Sequence, residues 1–465
     1  MLRIFKQNYP IRNIFFVVGE GAFIYLSVLT ACWIIIGYGS FAVSRTLFLK
    51  ILLITLVCQA CLYYNDLYDF KVIDTFYELA IRLLQALGAA AIFLALVYIV
   101  FPDATIGHGI FIASVAIVVL LIVSWRFLYT LVLDRGILNE KIILLGSGEL
   151  IKEIRQEINA RKDCGYSVIM ELSENGEHPA DEETKNPAQR LGDRFEGLAD
   201  MARILEASRI VAGFKERRRA FPTKELLRCR VEGIDVIEGV SFYEMLTGKL
   251  IVEQLNPSWL IFSGGFEKSR LKRFFKRCID LILSTTLIVL LLPLILLVAV
   301  AVKLDSRGPV IFSQERVGQK RRIYRVHKFR SMVADAEKLT GPVWANDDDQ
   351  RITRVGRLIR KIRFDEIPQL WNVLKGQMSF VGPRPERDFF VKELEKKIPY
   401  YGERFTVKPG ITGWAQINYG YGATIEDAVE KLNYDLFYVK NITTLMDLMI
   451  VLRTIKIVLF GRGAR

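Results

Sequence analysis

Four long apolar segments in the first third of the chain constrain its fold more than any other feature of the sequence. They run approximately over Ile14–Tyr38, Ile51–Asn65, Leu83–Phe101 and Gly109–Leu133. A helix needs about 20 apolar residues to cross a bilayer, and the second segment reaches this length if the side chain of Lys50 extends to the lipid headgroups. The sequence therefore predicts a membrane protein whose residues 1–138 form an N-terminal bundle of four transmembrane helices.

The composition indicates that soluble domains accompany these segments. Hydrophobic residues make up 52% of the 465 residues but 24% are charged, which excludes both a fully membrane-embedded transporter and a wholly disordered chain. The formal net charge of +13 indicates nucleic acid or anionic lipid as a partner, and the positions of the basic residues must decide between them. The three His and six Cys residues supply no obvious metal centre.

Basic residues flank the apolar segments unevenly. They concentrate at the two ends of the predicted bundle and in its second loop, at Arg3, Lys6, Arg12, Lys71, Arg82, Arg135 and Lys141. The loop over 102–107 has no Lys or Arg, so the positive-inside rule places both ends of the bundle in the cytoplasm. Glu20 lies within the first segment, and we interpret it as a residue near the headgroups rather than a functional intramembrane acid.

A fifth apolar run, Leu281–Val302, carries no charge and contains Pro293. Basic residues flank it on both sides, and proline bends a helix, so we predict a bent helix over about 278–303 that enters the membrane and returns on the cytoplasmic face. An ordinary kinked span stays open as an alternative. The residues before the run are strongly basic: Lys268, Arg270, Lys272, Arg273, Lys276 and Arg277. Because this basic cluster adjoins an apolar helix, it favours lipid headgroups over nucleic acid.

Residues 139–265 have the pattern of a Rossmann-like α/β domain. A strand at Lys141–Leu145 precedes the turn Gly146-Ser147-Gly148 and a helix at Glu149–Ala160, and Glu171 stands near the position of a ribose-binding acid. Ile151 occupies the place of the third glycine in the dinucleotide fingerprint. Nucleotide binding, assembly and regulation all remain open as roles. Further strands are predicted at Tyr166–Glu171, Arg209–Gly213 and Asp235–Ile237.

The last third of the chain carries a series of polar motifs. In order, they are Phe312-Ser313-Gln314-Glu315-Arg316-Val317-Gly318, His327-Lys328-Phe329-Arg330-Ser331-Met332, Arg363-Phe364-Asp365-Glu366-Ile367-Pro368-Gln369-Leu370, Phe380-Val381-Gly382-Pro383-Arg384-Pro385-Glu386 and Lys408-Pro409-Gly410-Ile411-Thr412-Gly413-Trp414. Through these motifs, residues 268–465 closely resemble the bacterial sugar transferase family, the monotopic phosphoglycosyl transferases. The preceding spans and Rossmann-like domain resemble its long-chain members, which prime exopolysaccharide or O-antigen synthesis.

The resemblance implies a function and a location. It implies transfer of a sugar 1-phosphate from a UDP-sugar to undecaprenyl phosphate with Mg²⁺, at the cytoplasmic face of the bacterial inner membrane. It also implies a C-terminal α/β catalytic domain over 266–465 with a re-entrant helix, in which Leu292 replaces the serine that many relatives have before the proline. Asp365 and Glu366 correspond to the catalytic dyad. The resemblance makes Asp365 the nucleophile and Glu366 a ligand of Mg²⁺ or an acid–base group; both are candidate metal ligands.

Chemistry supports the same residues. Phosphoryl transfer between two anionic substrates requires positive charge to screen the reacting phosphates. The candidate phosphate-binding residues are therefore Lys328, Arg330, Arg363 and Arg384. Lys328 and Arg330 alternate along a predicted strand and should share a face. Glu386 is a candidate supporting residue. A structural alternative is that Asp365 caps the helix that follows it.

Three points stay open in the sequence. Trp414 is a candidate supporting residue that suits either a nucleotide pocket or the lipid interface. Leu445–Phe460 is apolar with few charges and is predicted as an interfacial amphipathic helix. A homodimer is conceivable, and the sugar is not identified.

Two other functions compete with phosphosugar transfer. One is an inactive membrane scaffold or nucleotide sensor of a glycan assembly complex, against which the intact carboxylate and arginine motifs argue. The other is a membrane-tethered nucleotide-sugar oxidoreductase, which depends on the incomplete glycine motif and lacks an obvious Tyr-Lys pair.

Overall fold

The computed structural model describes most of the chain in two compact units, Met1–Phe242 and Tyr243–Arg465. The described residues are 2–4, 7–9, 11–36, 45–68, 76–106, 109–136, 139–146, 148–161, 163–172, 195, 197–214, 222–255, 269–333, 351–420, 422 and 424–459. The division into domains at 1–138, 139–265 and 266–465 stays a prediction. Ser147 and Lys268 lie outside the described residues.

The first unit begins with a short antiparallel hairpin and four long apolar helices. The elements are β1 (Leu2–Ile4), β2 (Gln7–Tyr9), α1 (Ile11–Ile36), α2 (Arg45–Tyr64), α3 (Phe76–Val100) and α4 (Ile110–Asp134). Each of the four helices is long and apolar enough to cross a membrane, as predicted. Helix α1 packs against α2 and α4, α2 packs against α3, and the four share an apolar core.

Helix α2 extends further toward its N-terminus than the apolar run alone predicts. It begins at Arg45, and Lys50 lies inside it, with Nζ donating to the carbonyl oxygen of Thr105 at 2.9 Å. The extension gives the helix 20 residues, which is the length that a span requires.

Glu20, which we interpret from the sequence as a residue near the headgroups, forms a buried ion pair, and its depth in the membrane stays a prediction. Its side chain is fully buried and accepts from Arg126 of α4, with Nε at 2.8 Å from Oε1. Arg126 also donates through Nη1 to the carbonyl oxygen of Leu67 at 2.6 Å, and its guanidinium lies 5.3 Å from the ring centroid of Phe16. A buried carboxylate requires such a partner, because an unpaired charge in an apolar interior is strongly unfavourable. The pair therefore joins α1, α4 and the turn that follows α2.

The rest of the first unit is an α/β region. Its elements are β3 (Glu140–Leu145), α5 (Glu149–Ala160), β4 (Tyr166–Leu172), α6 (Leu198–Ile204), β5 (Arg209–Ala212), α7 (Thr223–Val231), β6 (Asp235–Glu238) and α8 (Gly239–Thr247), the last of which continues into the second unit. The strands form a parallel sheet in the order β4-β3-β5-β6, and their bounds agree with the predicted strands to within a residue at most ends.

The glycine turn after β3 is needed for close packing. Gly146 has φ +116°, and a Cβ there would lie 2.6 Å from the carbonyl oxygen of Gly213. Ile151 packs closely against Gly213: a Cβ on Gly213 would lie 2.5 Å from Cδ1 of Ile151. Glu171, the candidate ribose ligand, instead pairs with Arg155 at 3.2 Å. Nucleotide binding by this region stays a prediction.

The second unit contains a long apolar helix followed by a small α/β arrangement. Its elements are α9 (Arg270–Asp305), β7 (Ile311–Val317), β8 (Ile323–Phe329), α10 (Arg354–Lys361), α11 (Gln369–Leu374), β9 (Ser379–Val381), α12 (Asp388–Lys397), β10 (Gly410–Thr412), α13 (Trp414–Asn418), α14 (Ile425–Asn441) and α15 (Thr444–Leu459). Strands β7 and β8 are antiparallel, and β9 and β10 are parallel. Helix α9 includes Pro293 and is the fifth described helix that is long and apolar enough to cross a membrane.

The basic cluster before the apolar run does not act as one lipid-facing surface. Lys276 donates from Nζ to Asp447 Oδ2 at 2.8 Å and to the carbonyl oxygen of Val381 at 3.0 Å. Arg277 donates to the carbonyl oxygens of Val373 and Leu374 at 2.6 and 2.7 Å. These two side chains therefore attach α9 to its own unit. Arg270, Lys272 and Arg273 are exposed, as a role at lipid headgroups requires.

Candidate active site

The centre of the candidate site is the carboxylate of Glu366, which two cations from distant parts of the chain contact. Lys328, near the end of β8, places Nζ 2.8 Å from Glu366 Oε1. Arg384, in the loop between β9 and α12, places Nη2 2.9 Å from the same oxygen. Charge-assisted hydrogen bonds of this kind are stronger than neutral ones. A strand, a turn and a loop thus meet at one carboxylate.

A tight backbone turn presents the two acidic residues. Residues Phe364–Glu366 form a single 3₁₀ turn, which Arg363 precedes in the left-handed conformation with φ +54°. This conformation is unfavourable for a bulky side chain and is concentrated at functional sites. The next helix, α11, has Pro368 at its N-cap, without a side-chain capping bond. Asp365 therefore does not cap that helix, and this structural alternative for its role does not hold.

Asp365 and Glu366 have opposite electrostatic environments although they are adjacent. Burial raises the pKa of the Asp365 carboxyl, with a further rise from Glu366 that Lys328 opposes. Burial also acts to raise the pKa of Glu366, but Arg384 and Lys328 outweigh it and hold that pKa well below its usual range. Within the described residues, no hydrogen bond is made to the Asp365 carboxylate. Glu366 is thus a fixed anion, and Asp365 is the more basic and less engaged carboxylate.

Arg363 and Arg384 complete the positive surroundings of the pair. Burial lowers the pKa of Arg363, and the positive charge of Arg384 lowers it further. Glu366 raises the pKa of Arg384, so that guanidinium stays charged. Three of the four predicted phosphate-binding residues, Lys328, Arg363 and Arg384, are therefore brought to the two carboxylates.

Arg330 lies elsewhere. It follows the last residue of β8, its side chain is buried, and Nη2 donates to the carbonyl oxygens of Val302 and Ser306 at 3.2 and 2.7 Å. These carbonyls belong to the C-terminal end of α9, where the helix leaves acceptors unsatisfied. Lys328 and Arg330 reach different partners, and the expectation that they share a face of one strand stays a prediction. A phosphate-binding role for Arg330 stays a prediction.

The two predicted supporting residues differ in position. Glu386 lies in the loop that carries Arg384, 3.7 Å from the guanidinium of Arg316. Trp414 is buried: its indole N–H donates to the carbonyl oxygen of Gly248 at 2.7 Å, and its ring stacks on Phe437 with centroids 5.9 Å apart. Trp414 is therefore enclosed within its unit, and its supporting role stays a prediction.

Sequence reasoning missed Arg360. It lies on α10 and acts to lower the pKa of Asp365, and its Nη1 is buried without a hydrogen-bond partner in the described part of the chain. An unpaired buried donor beside a carboxylate suits an incoming anion. The sequence shows it as one of several Arg residues in a short helix, a pattern that is more typical of a solvated face.

The donor set fits a magnesium ion that arrives with a phosphate substrate. No group of three or more His, Cys, Asp or Glu residues with a metal-binding arrangement occurs among the described residues. Mg²⁺ is commonly held by one or two carboxylates together with substrate phosphates and water. Asp365 offers a carboxylate that accepts no hydrogen bond from the described residues. Both hydrogen bonds that described residues donate to Glu366 end on Oε1, so Oε2 accepts neither of them.

The two carboxylates and the cations around them lie in the unit that contains the long apolar helix α9, an arrangement that suits phosphate chemistry. Residues 271–461 match the family model of bacterial sugar transferases. A UDP-galactose-lipid carrier transferase of Erwinia amylovora is 32% identical over 341 residues, which cover 70% of this chain and 69% of that protein. The chain belongs to the bacterial sugar transferase family.

Two further relatives have a higher sequence identity over a shorter stretch. A UDP-N-acetylgalactosamine-undecaprenyl-phosphate N-acetylgalactosaminephosphotransferase of Aeromonas hydrophila is 44% identical over 240 residues, or 52% of this chain and 56% of that protein. A UDP-glucose:undecaprenyl-phosphate glucose-1-phosphate transferase of Escherichia coli strain K12 is 41% identical over 190 residues, or 40% of each chain. The matched stretch thus spans about half of the length of these relatives.

Proposed function

We propose that the protein transfers a sugar 1-phosphate from a UDP-sugar to undecaprenyl phosphate, giving undecaprenyl diphosphate sugar and UMP, and so initiates exopolysaccharide or O-antigen assembly. The observation that carries this proposal is the pairing of Glu366 with Lys328 and Arg384 beside the buried carboxylate of Asp365. The names of the relatives support the substrate classes, since they join UDP-linked N-acetylgalactosamine, glucose or galactose to a lipid carrier.

The reaction proceeds in two displacements. A carboxylate oxygen of Asp365 attacks the sugar-bearing phosphorus and forms an acyl phosphate, while the bond between that phosphorus and the bridging oxygen breaks and UMP leaves. A phosphate oxygen of the lipid then attacks the same phosphorus and displaces the carboxylate, which regenerates Asp365. The raised pKa of Asp365 makes it the better nucleophile of the two carboxylates, and Lys328, Arg363 and Arg384 offset the negative charge that develops on the phosphates.

Asp365 and Glu366 are the proposed ligands of Mg²⁺, which would offset charge on the diphosphate when it is bound. Independently of the metal, Lys328 and Arg384 hold Glu366 in one position. Water exclusion around the pair follows from burial, since both residues are at most 9% exposed.

The membrane arrangement is part of the proposal. Helices α1–α4 form the transmembrane bundle, α15 lies at the interface, and α9 is re-entrant, which puts the site on the cytoplasmic face of the bacterial inner membrane. Contacts at both ends of α9 support the re-entrant form: Lys276 and Arg277 attach its first part to the unit that also holds its last turn through Arg330. A helix that crossed the bilayer would place its two ends on opposite sides. The homodimer stays a prediction.

The test is release of UMP from a panel of UDP-sugars by the purified full-length protein with undecaprenyl phosphate and Mg²⁺. We expect release with one sugar, and its loss in Asp365→Asn. The matched control is Asp200→Asn, the same chemical change at an exposed position on α6, which should retain full activity.

The folded state of the variant is checked by thermal unfolding. Because burial raises the pKa of Asp365, its charged form is disfavoured in the folded protein, and Asp365→Asn should melt no lower than the parent. Absence of UMP release by the folded parent across the panel would refute phosphosugar transfer from UDP donors and favour the scaffold.

A further inference from the structure

The loop that carries Arg384 is fixed through its backbone. Arg384 itself is 42% exposed in its side chain, so packing around that side chain does not hold it in place. The carbonyl oxygens along the loop instead accept hydrogen bonds from surrounding elements: Val381 from Lys276, Pro383 from the Gly410 N–H, Arg384 from Arg404, Pro385 from Arg316 and Glu386 from the Val317 N–H. Of these donors, Arg404 contacts the carbonyl of the residue that pairs with Glu366.

Arg404 is a buried cation that is paired with groups of the protein itself. Its Nη2 lies 3.0 Å from the Arg384 carbonyl oxygen and 2.8 Å from Asp435 Oδ2, and its Nη1 donates to the hydroxyl of Tyr401. Its guanidinium carbon lies 5.0 Å from the ring centroid of Tyr401 and 5.9 Å from that of Phe405. One planar guanidinium thus bridges the loop and a carboxylate on α14, which a lysine ammonium cannot reproduce in the same geometry.

We infer that Arg404, held by Asp435, is a positioning residue that fixes the loop so that Arg384 reaches Glu366 and the substrate phosphate. This inference rests on the proposed function. Arg404 does not touch the reacting atoms; it acts through the Arg384 backbone. A displacement of about 1 Å in a charged group can lower a rate by up to about 10²-fold.

The alternative is that the Arg404–Asp435 pair only stabilises the fold. A comparable pair allows the two roles to be separated: Lys440, also on α14, donates to Glu244 Oε2 at 2.7 Å, and both side chains are buried. Glu244→Gln and Asp435→Asn each remove the acid of a buried ion pair in which one partner lies on α14. The two changes should lower the melting temperature similarly.

The first experiment compares kcat/KM for UMP release among full-length variants in the presence of Mg²⁺. Arg404→Lys should lower kcat/KM at least about 10-fold, because lysine keeps the charge but loses the bridge. If Arg404→Lys does not fold, Asp435→Asn replaces it and should also lower kcat/KM. The matched control Glu244→Gln should leave kcat/KM within about twofold of the parent, because its site and the loop share no residue.

A double-mutant cycle supplies the readout that a purely structural role would not affect. If Arg404 acts through Arg384, adding Arg404→Lys to Arg384→Met should change kcat/KM by less than about twofold further. An equal loss in both backgrounds, or a loss for Glu244→Gln as large as for Asp435→Asn, would overturn the inference. A parent protein that binds but never cleaves UDP-sugars would overturn the proposed function and this inference together, whereas an active parent with an equally active Arg404→Lys overturns the inference alone.

Discussion

Arg363 contributes to the site although its own backbone conformation is unfavourable. It adopts φ +54° immediately before the turn that holds both carboxylates. The left-handed conformation costs about 1–2 kcal/mol for a residue with a Cβ, and glycine avoids this cost. We therefore expect Arg363→Gly to unfold at the same or a higher temperature while it loses most UMP release. Thermal unfolding and turnover measured on one preparation test this, and a lower melting temperature would contradict it.

The titration of Asp365 gives a second prediction at the residue scale. The nucleophile acts in its ionised form, so kcat/KM should fall as the pH is lowered through the Asp365 pKa, which burial raises above the ordinary value of about 3.9. Lys328 acts to lower this pKa, so Lys328→Met should move the acid limb of the pH profile to higher pH. The control is Lys392→Met, an exposed lysine that pairs with Asp388 on α12. An unmoved limb in Lys328→Met would contradict the assignment.

Helix α9 and its anchors give a prediction at the scale of an element. Lys276 is partly buried against Asp447 and Val381, whereas Lys272, one turn earlier, is exposed. Removing one partner of a largely buried ion pair is destabilising by about 3 kcal/mol. Lys276→Met should therefore lower the melting temperature markedly. Lys272→Met should leave it unchanged and instead weaken binding to vesicles of anionic lipid. Equal effects of the two variants on melting and on vesicle binding would refute this division of the basic cluster.

The elements also show how far sequence reasoning reaches. Strands β3, β4, β5 and β6 were predictable to within a residue at most ends, because apolar runs between turn residues are a local signal. The same holds for α5. The long apolar helices were predictable as elements, but α2, α3 and α9 begin well before the apolar runs that predicted them. The motifs likewise predicted that Asp365 and Glu366 stand together among basic residues.

Partners that are distant in the chain were not predictable. Glu20 pairs with Arg126, which is 106 residues away, and no pattern near either residue indicates the other. The sequence pattern assigns Lys276 to lipid headgroups. A basic run beside an apolar helix has the same sequence pattern whether lipid or another element of the protein contacts it. Arg330 lies in a motif, yet its contacts depend on where the end of α9 falls in space.

At the scale of the whole molecule, α9 lies in a single unit that holds it at two places. Its first part is attached through Lys276 and Arg277, and its end through Arg330, while the stretch between them is apolar and largely exposed. Most single-helix anchors respond to a bilayer of unsuitable thickness by tilting. A helix fastened at two places to one folded body has lost that freedom, so the surrounding lipid must stretch or thin instead. Turnover in nanodiscs should therefore show an optimum in acyl-chain length. The activity of this protein would then depend on the thickness of the membrane that surrounds it.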